Sequence, residues 1–226
     1  KELLSRLEIL SISPASIKAM LITHEHEDHV RGCRVFSDQF NIPVYLTEDT
    51  FRYLSESKKV GAKRQRFAPG TSFPIGNFNI DPFSVNHDAL DPVGFIISVG
   101  AKKIGLATDL GHINHLARHR LQGCDALIIE CNHDIKLLRN AQRPLHIIRR
   151  IMGRQGHLNN EDAISAFDTL VSENTKYIFL AHISAECNDY ELVENMAQDK
   201  LKKMKRTDIL LKIARQEKPL ETVWID

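Results

Sequence analysis

The chain has 226 residues, 42% apolar and 26% charged, with a formal net charge of +1. That is enough for one sizeable core; it excludes disorder, which needs low hydrophobicity and high net charge, and leaves no global charge to name a partner. No apolar run approaches the ~20 residues of a membrane span. The amphipathic start KELLSRLEIL lacks the apolar stretch of a signal peptide. Cys33, Cys124, Cys131 and Cys187 form no C-x-x-C pair, so a reducing, cytoplasmic compartment is expected. The chain opens at Lys1, not Met, and runs straight into a helical pattern, which reads as the missing start of a longer protein.

Leu3, Leu4, Leu7 and Leu10 recur at helical spacing, predicting a helix over 2–10 that breaks around Pro14. The apolar run 17–23 (IKAMLIT) is of strand length; 29–40 reads as a helix, 43–46 as a strand and 48–54 as a short helix. Residues 73–85 read as a hairpin turning at Gly76-Asn77, and 94–99 with 103–107 as a second hairpin around Gly100. Further on, 125–129 is a strand, 159–171 a helix with an Asn cap, 176–181 a strand, 190–205 a helix, 209–214 a strand and 223–225 a closing strand. No repeat or linker divides the sequence, so a single domain over 1–226 is expected. Hairpins interspersed with helices predict an α/β (α+β) fold of mixed sheets with helices on their outer faces, rather than a doubly wound parallel sheet.

Histidine is the informative residue: there are 11, clustered beside Asp and Glu. Thr23-His24-Glu25-His26-Glu27-Asp28-His29 directly follows the first apolar strand. In an extended segment His24 and His26 point the same way, because side chains alternate with period two; Asp28 and His29, past the turn, reach a second point nearby. Imidazole nitrogens with a carboxylate suit Zn²⁺ or Mn²⁺. His87, Asp109 and His182 each lie just past an apolar strand, where a sheet presents its loops to one shared site. One such histidine alone would read as structural; three at equivalent places beside the first cluster read as ligands.

The pattern H-x-H-x-D-H, a distant His, a strand-end Asp and a strand-end His resembles the metallo-β-lactamase superfamily, and more closely its YycJ/WalJ-like nuclease branch. The narrower likeness rests on Thr23–His29 followed by Val30-Arg31-Gly32, on Ala107-Thr108-Asp109-Leu110-Gly111-His112, on Ile129-Glu130-Cys131-Asn132-His133-Asp134, on Gly156-His157-Leu158-Asn159-Asn160 and on Ala181-His182-Ile183-Ser184. The resemblance implies an αββα sandwich with the site at one edge of its two sheets. It implies two divalent ions, Zn²⁺ or Mn²⁺: one held by His24, His26 and His87, the other by Asp28, His29 and His182, with Asp109 bridging. Two such ions would lower the pKa of a shared water, giving a hydroxide nucleophile, and would neutralise phosphate oxygens. Asp28, Glu130 and His157 are the implied catalytic residues. A His held and charged by a carboxylate is a suitable acid for an alkoxide leaving group; the competing reading has His157 packing the helix that follows, and His133 is a substitute donor or a substrate contact. His112, His115, His119 and His146 read as ordinary surface or packing residues.

Between Ile135 and Asn160 stand six basic residues (Lys136, Arg139, Arg143, Arg149, Arg150, Arg154) and no acid. Beside the expected site, such a run reads as a track for a phosphate backbone; Arg149, Arg150 and Arg154, with His133 and Ser184, are the candidate substrate contacts. Lys58, Lys59, Lys63, Arg64 and Arg66 form a second acid-free stretch. The reaction expected is metal-dependent cleavage of nucleic acid, DNA rather than RNA and exonucleolytic from a 5′ end, the last two from resemblance only. A thioester or lactone hydrolase and a non-catalytic nucleic-acid-binding module are the alternatives. Two features depart from the family: the Gly/Ser/Asn-rich strands and the Asp-x-Gly strand end that precede the first helix are absent, and only 72 residues separate Asp109 from His182, too few for the inserted cap domain of the RNA-processing branches. An open site is therefore expected.

Overall fold

Alternation along the strands builds the layers. In the computed structural model, which describes residues 1–225, helix α1 (Glu2–Ile9) leads to β1 (Met20–Leu21), α2 (Glu27–Val30), α3 (Cys33–Phe40), β2 (Val44–Thr47), α4 (Glu48–Glu56) and β3 (Arg64–Phe67). β1, β2 and β3 pair in parallel as a small sheet. On β2, Val44 and Leu46 point outward to Val30, Cys33 and Leu54 of the helices, while Tyr45 points inward to Phe67 and Phe73. This period of two lets one strand serve two cores.

The large sheet follows: β4 (Phe73–Ile75), β5 (Phe78–Ser84), β6 (Val93–Val99), β7 (Lys102–Ala107), then α5 (His115–Leu121), β8 (Ala126–Glu130), α6 (Ile135–Asn140), α7 (Leu145–Ile151), α8 (Asn160–Ser165), α9 (Phe167–Leu170), β9 (Tyr177–Ala181), α10 (Tyr190–Lys203) and β10 (Leu210–Ile213). Its order is β10-β9-β8-β7-β6-β5-β4. The hairpinned half from β4 to β7 is antiparallel, and the half from β7 to β10, joined through helices, is parallel. Phe95, Ile97 and Leu106 face the small sheet; Ile96 and Ala107, one residue away, face the core beneath α5, α8 and α10. Helix, sheet, sheet, helix is the αββα sandwich expected from the sequence.

Several elements differ from the sequence-based expectation. The first strand shrinks to two residues, because only Met20–Leu21 pair with β2. The helix expected over 29–40 is two helices, broken at Arg31-Gly32, where Gly32 takes φ 80°. The helix over 159–171 is likewise two; its Asn159 cap accepts from the Asp162 N–H at 2.9 Å. Residues 223–225 form no strand, although the Trp224 carbonyl accepts from the Tyr177 hydroxyl at 2.7 Å. β3, α5, α6 and α7 have no counterpart in that reading. No helix among the described residues is long and apolar enough to cross a membrane.

Candidate metal centre

Both sheets direct their strand ends to one place. β1 runs into the loop carrying His24 and His26, and α2 then presents Asp28 and His29 in its single turn. His87 lies three residues past β5, Asp109 two past β7 and His182 one past β9, while Glu130 ends β8. Asp109 and His182 adopt left-handed backbone, φ 58° and 56°, a conformation costly for residues with a Cβ and found where a site demands it.

Seven residues proposed as ligands from sequence converge. His24, His26 and His87 form one group and Asp28, His29 and His182 another, with the ligand atoms of each within 4.8 Å of one another. Asp109 stands between them: its carboxylate lies 3.2 Å from His29 Nε2, 3.5 Å from His182 Nε2 and 3.8 Å from His87 Nε2. The rings make a closed circuit around it, His24 to His29 to His182 to His157 to His87 and back, with neighbouring centroids 4.1–5.7 Å apart.

The donor chemistry fits divalent cations. His87 Nδ1 bonds the Gly156 carbonyl at 3.0 Å; it must be the protonated nitrogen, so Nε2 carries a lone pair, and that lone pair lies 3.3 Å from His26 Nδ1. His24 Nε2 and Asp109 Oδ2 are buried without a hydrogen-bond partner. Imidazole nitrogens and carboxylate oxygens gathered at this spacing, with His24, His87 and Asp109 buried, suit a cation. Burial, reinforced by His29, pushes His24 down to about 3, and burial lowers His87 as well; both are neutral imidazoles, the form that ligates. Burial works against charge on His182, but the Asp28 carboxylate 3.8 Å away and the hydrogen bond to Glu130 raise it to about 10. His182 in turn holds Asp28 well below the usual carboxylate range. Burial opposes the charge on Asp109, yet His29, its Nε2 3.2 Å away, and the charge of His182 keep it ionised.

Sequence reasoning missed two supports. Thr23 Oγ1 lies 3.0 Å from His24 Nδ1 and 3.2 Å from His29 Nδ1, fixing both rings. Gly156 orients His87 through a carbonyl, a contact with no side-chain signature.

Beside the ligands, Glu130 is fully buried. Its Oε1 lies 2.9 Å from His157 Nδ1 and 2.7 Å from His182 Nδ1. The adjacent cavity, about 340 Å³, is lined by Asn132, Arg143, Arg150, His157, His182 and Ser184 among others. Arg143 holds Glu186 and Arg150 holds Asp88. Two of the expected substrate contacts, Arg150 and Ser184, thus line this cavity, and Arg143 joins them. Arg149 is exposed outside it, and Arg154 turns to His112, Nη2 to Nε2 at 3.1 Å. His133 is 1% exposed and lies outside every ligand group and cavity lining described. Its backbone bridges Asn159, and the structure does not bring its side chain among the residues lining the ligand set or the arginine cavity.

A family model described as a beta-lactamase superfamily domain matches residues 3–183. Exodeoxyribonuclease YycJ of Bacillus anthracis is 33% identical over 178 residues, 78% of this chain and 67% of the relative. Ribonuclease J of Sinorhizobium meliloti is 30% identical over 143 residues, 57% of this chain and 25% of the relative. Among solved structures, the metallo-β-lactamase fold protein YhfI of Bacillus subtilis superposes with a TM-score of 0.68 at 18% identity, covering 95% of this chain and 81% of that one; at that identity the likeness speaks for the fold. With imidazoles and carboxylates delivered from the strand ends of two facing sheets, and a family model that spans most of the sequence, this chain belongs to the metallo-β-lactamase superfamily.

Proposed function

We propose that the chain is a metal-dependent nuclease: a hydrolase of phosphodiester bonds in nucleic acid, acting on DNA in preference to RNA and from a 5′ end. The observation that carries this reading is one shared wall. His157 and His182 belong both to the imidazole circuit and to the cavity lined by Arg143 and Arg150, so a phosphodiester gripped by the arginines lies against the ligand set. The relatives' names support nucleic acid as substrate.

Zn²⁺ or Mn²⁺, two ions held by His24, His26 and His87 and by Asp28, His29 and His182 with Asp109 between, would supply the charge that brings the pKa of water towards neutrality and offsets the phosphate's own. The chain's residues do the rest. Arg143 and Arg150 each keep N–H donors beyond the carboxylate they hold and bind phosphate oxygens, with the Ser184 hydroxyl beside them. Asp28, with its side chain 69% exposed, faces the solvent from which the attacking water comes. His157, tied to Glu130 through Nδ1, turns Nε2 outward to protonate the leaving oxygen. Glu130 touches no substrate; it is a positioning residue for His157. Both sheets supply ligands to the one centre, which supports reading the chain as one domain. The four cysteines are free and buried, which supports a reducing compartment, the cytoplasm.

The test is the metal-loaded protein against 5′-phosphorylated and 5′-hydroxyl DNA and RNA, with a thioester as control. Stepwise release of nucleotides from 5′-phosphorylated DNA is expected. Thioester turnover with every nucleic acid left intact would overturn the reading.

A further inference from the structure

A second cavity opens against the ligand set at His26. It measures about 460 Å³ and is lined by Glu25, His26, Glu27, Tyr53, Lys59 and Leu90. His26 is its link to the centre; around the circuit of rings, His26 contacts His87, His87 contacts His157, and His157 contacts His182. The arginine cavity begins where that series ends, at His157 and His182. A strand laid along that series of rings runs from one cavity to the other.

The two cavities differ in chemistry. The first presents guanidinium groups, suited to phosphate. The second presents the ring of Tyr53, 45% exposed on α4, and the side chain of Leu90, 56% exposed on the loop after His87. Its charged groups are two carboxylates and one lysine: Glu27 is taken up by Lys59, and Glu25 Oε1 accepts from the Leu90 N–H at 2.9 Å. Glu25 Oε2 is buried and has no hydrogen-bond partner. An acidic, aromatic cavity repels phosphate. It suits a flat, neutral ring that stacks on one face and offers N–H donors at its edge, which is the description of a nucleobase. The volume is in the range of small-ligand sites.

We propose that this cavity is a nucleobase subsite, in which Tyr53 stacks on the base flanking the scissile phosphate on the His26 side and the Glu25 and Glu27 carboxylates favour that neutral base over a phosphate. The inference rests on the nuclease reading for its strand, but base recognition can be measured without cleavage. The zinc-loaded full chain is titrated calorimetrically with deoxyadenosine 5′-monophosphate and with 2-deoxyribose 5-phosphate, which lacks the base. Wild type is expected to bind the nucleotide about tenfold more tightly, the scale of one stacked base. Tyr53→Ala should erase the preference by weakening the nucleotide alone, and Tyr53→Phe should keep it. Zinc content and hydrolysis of a small phosphodiester should be unchanged in both variants. A wild type without preference, or a preference that survives Tyr53→Ala, overturns the subsite. A base preference in a protein that cleaves no strand overturns the nuclease reading and leaves the subsite standing; cleavage without base preference does the reverse.

Discussion

Four groups converge on one carboxylate that has no surface of its own. Glu130 Oε1 faces His157 and His182, and Oε2 accepts from the Leu110 and Leu158 N–H groups, each at 3.0 Å. Glu130 therefore steers a ligand as well as the proposed acid, and variants should separate the two duties. His157→Ala is expected to lower turnover on natural phosphodiesters by ~10²–10⁴-fold, the range for lost acid catalysis. A substrate with a p-nitrophenolate leaving group hardly needs the proton and should be far less affected, with metal content unchanged. Equal loss on both substrates would sink the acid role. Glu130→Gln should lower metal content as well as turnover, because His182 loses the charge that orients it; full metal occupancy, measured by emission spectroscopy, would show that His182 needs no such support. At this scale the ligands were legible, since each follows a strand and its chemistry is in its side chain. Arg143 was passed over in favour of Arg149 because both sit in one basic run, and which arginine faces the site depends on the helix between them. Thr23 acts through a hydroxyl that reads as an ordinary strand residue.

The turn after α7 is fastened to the loop after β5. Asp88 N–H donates to the Gln155 carbonyl at 3.0 Å, Arg150 holds the Asp88 carboxylate, and the Gly156 carbonyl takes His87 Nδ1. A Cβ at Gly156 would stand 2.1 Å from the Ile151 carbonyl oxygen and 2.3 Å from that of Arg150. Gly156→Ala must therefore shift the end of α7, at an overpacking cost of roughly 1–3 kcal/mol, and His87 shifts with it. Both a lower melting temperature and a lower metal content are expected. Gly70→Ala is the control: Gly70 has φ +81° and open space around its Cβ position, so it should lose stability alone. Equal metal content in the two variants would refute the coupling. This fastening was invisible in the sequence because its bonds span 62–69 residues and two of the three use backbone groups, the Gln155 and Gly156 carbonyls, that carry no side-chain signature. Among the missed elements, α6 and α7 are short helices in a basic run, and β3, Arg-Gln-Arg-Phe, is an edge strand exposed except at Phe67. The hairpin at Gly76-Asn77 was legible because its turn needs the positive φ that Gly76 adopts, 59°.

The whole molecule gathers its ligands from both sheets. His24, His26, Asp28 and His29 follow the small sheet; His87, Asp109 and His182 follow the large one. An ion that binds only the folded arrangement stabilises it by about 2.7 kcal/mol at a hundred times its Kd. For a chain of this size that is about 5–10 °C in melting temperature. Chelation in a thermal scan should remove that increment and zinc or manganese should restore it; an unchanged midpoint would mean that the sheets hold the site with no help from an ion. Neither sheet alone completes either group of three, since each group borrows from the other side. The centre is in effect a rivet through the sandwich. If the chain were cleaved in the linker between β3 and β4, the two fragments should capture the ion only as they reassemble, so that metal uptake would report rejoining and would rise with the concentration of both pieces.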